Sequence, residues 1–110
     1  MVKLTVLYNL PEDADHDAYL AWRTGPHQQA NASAPGVLKT DFYVAIGTVL
    51  GPPKYRYITE AYFATMADLE AAVLTEEARA GTRASLERHG IVDAEFLVSE
   101  QNAVTVPGES

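Results

Sequence analysis

Alternating apolar and polar positions in four segments of the chain predict four β-strands. The segments are rich in β-branched and aromatic residues and are residues 2–9, 37–45, 54–63 and 91–100. After the first strand, apolar residues recur at helical spacing beyond Asp15, a residue type that favours helix N-caps. A second helical region follows Thr65 and is expected to break at Thr75. The pattern therefore predicts the order strand, helix, strand, strand, helix, strand.

Glycine and proline mark the expected ends of these elements. The Gly-Pro pair at residues 25–26 is expected to end the first helix, to kink it or to start a new turn. A second helical piece is expected over residues 27–32, and residues 34–36 form a clear break before the second strand. Gly90 is the expected stop of the second helical region. Two glycines and two prolines at residues 47–53 predict a long hairpin loop between the second and third strands, which we interpret as the rim of a site.

The order βαββαβ predicts an α+β, ferredoxin-like fold with a four-stranded antiparallel sheet and both helices on one face. We expect one domain over residues 1–110, in which residues 103–110 form an extended arm or a loose tail. The uncovered sheet face would then expose a large apolar patch. It consists of Leu7, Tyr43, Ile58, Tyr62 and Leu97. A second copy of the chain is the simplest cover, so we predict a homodimer whose two sheets pack into a barrel.

Strict alternation along the second strand assigns Leu38 to the helix-facing core and Val37 to the open face. A single bulge in the strand would invert this assignment.

Composition excludes several classes of function. The net charge of −7, from eight basic and fifteen acidic residues, disfavours a surface for nucleic acid or anionic membrane. The absence of cysteine excludes disulfides, thiolate metal sites and cysteine nucleophiles. No apolar run reaches the roughly 18 residues needed to span a bilayer, and no signal-peptide pattern is present, so we expect a cytoplasmic protein. No Gly-rich nucleotide loop or metal-ligand spacing occurs, and we therefore predict no cofactor and no metal.

Three stretches of the sequence carry a family resemblance. They are the strand at residues 2–8, the pattern Tyr19-x-x-Trp22 followed by His27 and Pro35-Gly36-Val37, and the strand at 57–63 leading into residues 66–69. In these stretches the chain resembles the EthD-like members of the dimeric α/β-barrel superfamily. The family commonly has His-Gly-Pro after the tryptophan, whereas here the histidine follows the Gly-Pro pair.

The resemblance implies a dimeric barrel, but it does not imply one reaction. Related barrels include polyketide cyclases and aldolase-type enzymes, muconolactone isomerases, cofactor-independent monooxygenases and haem enzymes. One fold hosts many chemistries, so the function has to be argued from the site.

Three residues are candidates for catalysis. His27 can exchange a proton near neutral pH, although a surface or helix-capping histidine is the simpler interpretation. Glu60 lies in the middle of a strand beside aliphatic and aromatic neighbours, which suits an acid or base, unless it forms an ion pair with Arg56. Tyr43 could donate a hydrogen bond to a developing enolate, or it could pack in the dimer interface.

Six further residues are predicted to line the substrate site. They are Tyr62, Ile58, Arg56, Asp41, Trp22 and Leu7. Trp22 is also expected to anchor the first helix to the sheet. The other two histidines are assigned no function, since His16 is expected to be solvent-exposed and His89 to act as a cation at a helix C-terminus.

These residues favour a small dimeric enzyme acting on a hydrophobic, oxygenated small molecule such as a polyketide or aromatic catabolite. Its reaction would be proton-transfer chemistry, such as cyclisation, isomerisation or carbon–carbon cleavage. The alternative is a non-catalytic binding or accessory protein of the same fold. A third hypothesis, a haem-binding barrel with His27 as axial ligand, has less support because no second ligand or basic propionate-binding cluster is evident.

Overall fold

The computed structural model describes residues 1–108 and confirms the predicted α+β order of elements. The strands are β1 (Val2–Tyr8), β2 (Val37–Val44), β3 (Tyr57–Phe63) and β4 (Ala94–Glu100). The helices are α1 (His16–Trp22), α2 (Gln28–Ala32), α3 (Met66–Val73) and α4 (Glu76–Arg88). The third and fourth strands each begin three residues later than the sequence pattern predicts.

The four strands form one antiparallel sheet in the order β2-β3-β1-β4. Leu4 pairs with Ala61 of β3 and with Val98 of β4, so these residues share one face of the sheet. The helices pack on that face, where Val2, Phe63 and Leu69 form the buried core cluster. We call it the helix face, and the opposite side the open face.

A bulge at the start of β2 reverses the predicted facing of two residues. The pairing with β3 shifts between Val37 and Lys39, which leaves Leu38 as an extra residue. Val37 therefore packs against the core and Leu38 is exposed. The sequence prediction for this pair was wrong because it assumed strict alternation, whereas the rest of β2 follows the predicted faces.

Side-chain caps begin the three helices whose starts the sequence predicts. The carboxylate of Asp15 accepts a hydrogen bond from the backbone N–H of Ala18, and the hydroxyl groups of Thr65 and Thr75 do the same one turn into α3 and α4. At the other end of α4, Gly90 has φ of 66° and its Cα approaches Pro11 so closely that a Cβ would lie 2.9 Å from the proline ring.

The helical segment does not end at the Gly-Pro pair. Instead, a π-helical turn, Arg23–His27, joins α1 to α2, with Pro26 inside it. Proline lacks the N–H that an α-helix needs and its ring crowds the preceding turn, and a widened turn accommodates both defects. This turn carries two residues of the candidate site described below.

The chain beyond β4 continues without helix or strand up to residue 108. The backbone N–H of Gln101 donates to the carbonyl of Met1 at 2.9 Å, which ties the start of this segment to β1. The sequence predicted an extended arm or loose tail over residues 103–110. The structure describes this segment as far as residue 108, and residues 109–110 lie outside the described part. Within residues 1–108, no helix is both long enough and apolar enough to cross a membrane.

Candidate functional site

A cavity of about 410 Å³ lies between the helix face of the sheet and the helices that cover it. This volume falls within the range of small-molecule sites. Its walls combine aliphatic and aromatic side chains with several polar groups. The polar and aromatic residues of the lining include Tyr8, Tyr19, Trp22, Arg23, His27, Thr40, Thr59 and His89. No residue of α4 is fully buried, because the cavity occupies the space beneath that helix.

Two histidines flank the indole ring of Trp22 in the cavity wall. The ring of His27 stacks on Trp22 with centroids 4.3 Å apart, and the ring of His89 lies tilted at 4.6 Å. Burial, followed by the charge of Arg23, lowers the pKa of His27 below its ordinary value of 6.5. Burial also lowers the pKa of His89. Both rings are therefore neutral at pH 7 and able to accept a proton.

His89 departs from the sequence expectation of a cation at a helix C-terminus. It does follow the last residue of α4, but its ring turns into the cavity wall, where burial disfavours the charged form. Its Nε2 is buried and has no hydrogen-bond partner within residues 1–108. An unpartnered buried nitrogen is costly unless a ligand or water completes its bonding.

Arg23 brings a positive charge to the same cavity. Its side chain is only 1% exposed. One terminal nitrogen donates to Oε1 of Gln28 at 2.6 Å and the other to Oγ1 of Thr59 at 2.9 Å. The guanidinium carbon lies 4.3 Å from the ring centre of Phe42. All three partners are neutral, and no carboxylate within residues 1–108 forms an ion pair with Arg23.

Tyrosine hydroxyl groups complete the polar part of the lining. The hydroxyls of Tyr8 and Tyr19 share a hydrogen bond of 2.5 Å. Burial, followed by the hydrogen bond with Tyr8, raises the pKa of Tyr19 well above its ordinary value. Tyr19 therefore stays a neutral phenol, which can donate a hydrogen bond to an oxyanion.

Of the predicted site residues, only His27 and Trp22 lie in this cavity. The others on the sheet are on its open face, as the register shows: Tyr43 is paired with Ile58, Asp41 with Glu60, and Leu7 with Ile58. Tyr62 and Leu97 share that face. The sheet thus separates Glu60 and Tyr43 from His27, so a single chain cannot bring all three to one substrate.

The open-face carboxylates are engaged in ion pairs. Nζ of Lys3 lies 2.6 Å from a carboxylate oxygen of Glu60, and Nζ of Lys39 lies 3.3 Å from Asp41. The alternative interpretation of Glu60 was an ion pair with Arg56. Glu60 does form an ion pair, but its partner is Lys3, which lies opposite Tyr62 on the neighbouring strand and reaches across to the carboxylate.

Arg56 lies at the end of the sheet, where it lines a smaller cleft of about 140 Å³. His16 lines the same cleft. Its Nδ1 is hydrogen-bonded to the hydroxyl of Tyr57, and it is half-buried rather than solvent-exposed as the sequence suggested. Within residues 1–108, no group of three or more histidine, aspartate or glutamate side chains is arranged to hold a metal ion.

Several polar residues of the cavity are not among the predicted site residues, including Tyr8, Tyr19, Arg23 and His89. Helical spacing was available as a signal, because Tyr19 and Arg23 are four residues apart and therefore lie on one side of a helix. Arginine in such a position is usually interpreted as solvent-exposed, and nothing in the local sequence indicates that this one is buried.

Known structures show the same fold. An ethyl tert-butyl ether D (EthD) family protein from Bacillus halodurans has a TM-score of 0.70 and 24% identity, covering 93% of this chain and 99% of its own. A candidate antibiotic biosynthesis monooxygenase from Deinococcus radiodurans has a TM-score of 0.70 and 15% identity, covering 98% of this chain and 100% of its own. A dimeric ferredoxin-like protein of unknown function from Thermobifida fusca has a TM-score of 0.66 and 15% identity, covering 91% and 90%.

The chain has the ferredoxin-like fold. Its solved neighbours include an EthD family protein, so the resemblance to EthD-like proteins is confirmed at the level of the fold. No protein-family model and no curated protein matches the sequence. Sequence identities of 24% and below establish the fold but not the reaction. The reaction has to be argued from the cavity.

Proposed function

We propose that this protein is a small enzyme that binds a hydrophobic, oxygenated small molecule in the helix-face cavity and removes a proton from it. One observation carries the proposal: a neutral histidine, His27, lines an apolar cavity of ligand size. A general base works best when it is uncharged at the operating pH and close to the bound substrate. Trp22 stacks on the His27 ring and holds it against the cavity wall.

Cyclisation, isomerisation and carbon–carbon cleavage of carbonyl compounds share proton removal beside the carbonyl group as an early step. In the proposed step, a nitrogen of His27 takes the proton, the electron pair of the C–H bond becomes a carbon–carbon double bond, and the carbonyl oxygen becomes an enolate. The hydroxyl group of Tyr19 would donate a hydrogen bond to that oxygen and keep its proton. The proton on His27 then returns to the product, so no external oxidant or reductant is required.

Hydrogen–deuterium exchange into a simple ketone tests this proposal. The probe is 4-phenylbutan-2-one in D2O, and proton NMR follows the loss of the signals beside its carbonyl group. We expect the protein to accelerate exchange over buffer and over heat-denatured protein. Exchange at the buffer rate, with the probe shown to be bound, would contradict the proposal.

The same measurement addresses the alternative, a non-catalytic binding protein. One feature favours that alternative: the cavity lining contains no aspartate or glutamate that could orient His27 or act as a second acid. Trp22 is the only tryptophan of the chain and lies in the cavity wall, so its fluorescence reports occupancy. A change in fluorescence without accelerated exchange is the outcome expected of a binding protein.

We also propose that the protein functions as a homodimer through its open face. The described chain exposes 7679 Å². A compact monomer of 12.0 kDa is expected to expose about 6,000 Å². The excess comes with exposed apolar side chains on the open face, at the hairpin tip and in the C-terminal segment, including Tyr43, Leu97, Val49 and Val104. The dimeric state of the Thermobifida neighbour supports this proposal.

Substitution on the open face tests the dimer. Leu97→Asp would place an unpaired carboxylate in the proposed interface and is expected to weaken dimerisation by at least about 100-fold. The matched control is Val92→Asp, at an exposed position before β4 and outside the sheet. Sedimentation velocity should give a mass twice that of the chain for the wild type and the control. A monomeric wild type at micromolar concentration would refute the dimer.

A further inference from the structure

The polar groups that line the cavity differ in whether other side chains already bind them. Tyr8 and Tyr19 share a hydrogen bond, and the terminal nitrogens of Arg23 donate to two neighbouring side chains. Within residues 1–108, the ring of His27 and the side-chain amide of Asn31 have no hydrogen-bond partner, although both residues line the cavity. These two groups are therefore free to bind a ligand.

The amide of Asn31 is also accessible. Among the buried side-chain nitrogen and oxygen atoms of residues 1–108, only Nε2 of His89 lacks a partner. Asn31 is half-buried and its amide is unpartnered, so the amide atoms are not among the buried ones and retain accessible surface. A ligand can bind this amide without displacing an internal hydrogen bond.

Asn31 lies one helical turn beyond the candidate base. His27 has helical backbone angles, φ of −73° and ψ of −37°, and leads directly into α2. Residues four apart on a helix have Cβ atoms about 5–6 Å apart on one side of it, so the two side chains are neighbours in the cavity wall. Gln28 anchors this turn to the sheet, because its amide nitrogen donates to the carbonyl of Thr40 at 3.1 Å. The pair is thus held in place before a ligand binds.

We infer that the side-chain amide of Asn31 donates a hydrogen bond to the carbonyl oxygen of the substrate and stabilises the enolate that forms when His27 removes the neighbouring proton. That proton and the carbonyl oxygen are separated by only three bonds, so the base and the donor have to lie side by side. The electron pair of the C–H bond moves towards the oxygen, and the amide N–H stabilises the negative charge there while keeping its own proton. This inference rests on the proposed function for the reaction, and it adds Asn31 as a further catalytic residue.

Asn31→Leu tests the inference, because leucine has nearly the same shape and cannot donate a hydrogen bond. We expect exchange of saturating 4-phenylbutan-2-one to slow by at least about tenfold, as for the loss of an oxyanion donor. Its dissociation constant, from Trp22 fluorescence, should change much less, since the ketone carries less charge on oxygen than the enolate. Gln29→Leu is the matched control, because Gln29 is exposed on the same helix and is not part of the lining. Wild-type exchange rates in a folded Asn31→Leu protein would overturn the inference.

Asn31→Asp keeps the size of the side chain and replaces its N–H donors by a carboxylate. A negative charge one turn from His27 favours the imidazolium and raises the pKa of His27. As the pH falls, exchange should therefore begin to decline at a higher pH than in the wild type. Its plateau should be lower, because the carboxylate repels the enolate. The other groups whose charges act on His27, Arg23 and His89, are unchanged in this variant. An unaltered plateau and pH profile would place Asn31 away from the reacting atoms and overturn the inference.

The infrared carbonyl band of the bound ketone separates this inference from the proposed function. A hydrogen bond lowers the carbonyl stretching frequency, and a difference spectrum between the carbon-13-labelled and unlabelled probe isolates the band. We expect a lower frequency in the wild type than in Asn31→Leu. Such a difference without any exchange by the wild type would remove the proposed catalysis and leave Asn31 as a ligand-binding residue. Exchange that Asn31→Leu retains, with an unmoved band, would remove the role of Asn31 and leave the catalysis. No binding of the ketone at millimolar concentration would overturn the inference.

Discussion

Replacing His27 by asparagine is expected to lower the rate of ketone proton exchange by at least about 100-fold, the contribution that a positioned general base usually makes. Asparagine keeps a polar group of similar size against Trp22 but cannot accept a proton at neutral pH. Binding of the probe should change little, because the apolar walls remain. The measurement is the NMR exchange assay at saturating probe, together with Trp22 fluorescence for affinity.

Two matched variants make the result specific to His27. His16→Asn changes a histidine outside the cavity, whose partner is Tyr57, and should leave exchange unaltered. His89→Asn changes the second histidine of the lining, which also faces Trp22. If His89→Asn abolishes exchange and His27→Asn does not, the base is His89, and our assignment is wrong.

The pH dependence of exchange follows from the direction of the pKa shift. The neutral form of His27 is the active base, and its pKa lies below the ordinary 6.5 because of burial and the nearby charge of Arg23. Exchange should therefore stay on its plateau as the pH falls through 6.5 and decline only at lower pH. In Arg23→Met one of the two largest causes is gone, so the decline should begin at a higher pH than in the wild type.

The second large effect concerns the core. Phe63→Ala is expected to lower the free energy of unfolding by about 3–5 kcal/mol, the usual cost of removing a fully buried phenylalanine ring. Phe63 is 0% exposed and contacts the core cluster formed with Val2 and Leu69. Most of the small core is lost with it, so the variant should unfold at a much lower urea concentration. Urea unfolding at equal protein concentration measures the change.

Phe96→Ala is the control for that experiment. Phe96 is 42% exposed and lines the cavity instead of the core, so its truncation removes less buried surface and enlarges a space that is already open. We expect a loss well under that of Phe63→Ala. Similar losses for both variants would show that the cavity wall contributes as much as the core does.

The sequence predicted the fold well because local signals and topology agreed. Asp15, Thr65 and Thr75 cap the helices they were expected to begin, and the alternation of β1 and β3 assigns their faces correctly. The failures are local. The bulge at Leu38 is an irregularity in the pairing of β2 with β3. The residue pattern of one strand does not show how that strand pairs with its neighbour, so the bulge could not be predicted from it.

The candidate site was predicted only in part, for a physical reason. Polar residues on the open face, such as Glu60, were predicted as site residues because a charged group in the middle of a strand is unusual. The ion pair with Lys3 explains the presence of a carboxylate there without a catalytic role. Arg23 is the charged residue of the cavity lining, and its burial arises from the packing of the π-helical turn onto the sheet. This burial depends on contacts with residues distant in sequence, such as Thr59, which is 36 positions away. The sequence near Arg23 does not indicate such contacts.

The π-helical turn makes the position of His27 depend on the number of residues in the turn as well as on their identity. Successive residues of an α-helix are about 100° apart around its axis, so deleting one residue at Thr24 would rotate everything that follows by roughly that angle relative to α1. His27 would leave the wall that it shares with Trp22, although every side chain of the site would still be present in the chain. Insertions and deletions in this turn are thus a route by which relatives of the same fold can lose or relocate a base without substituting it.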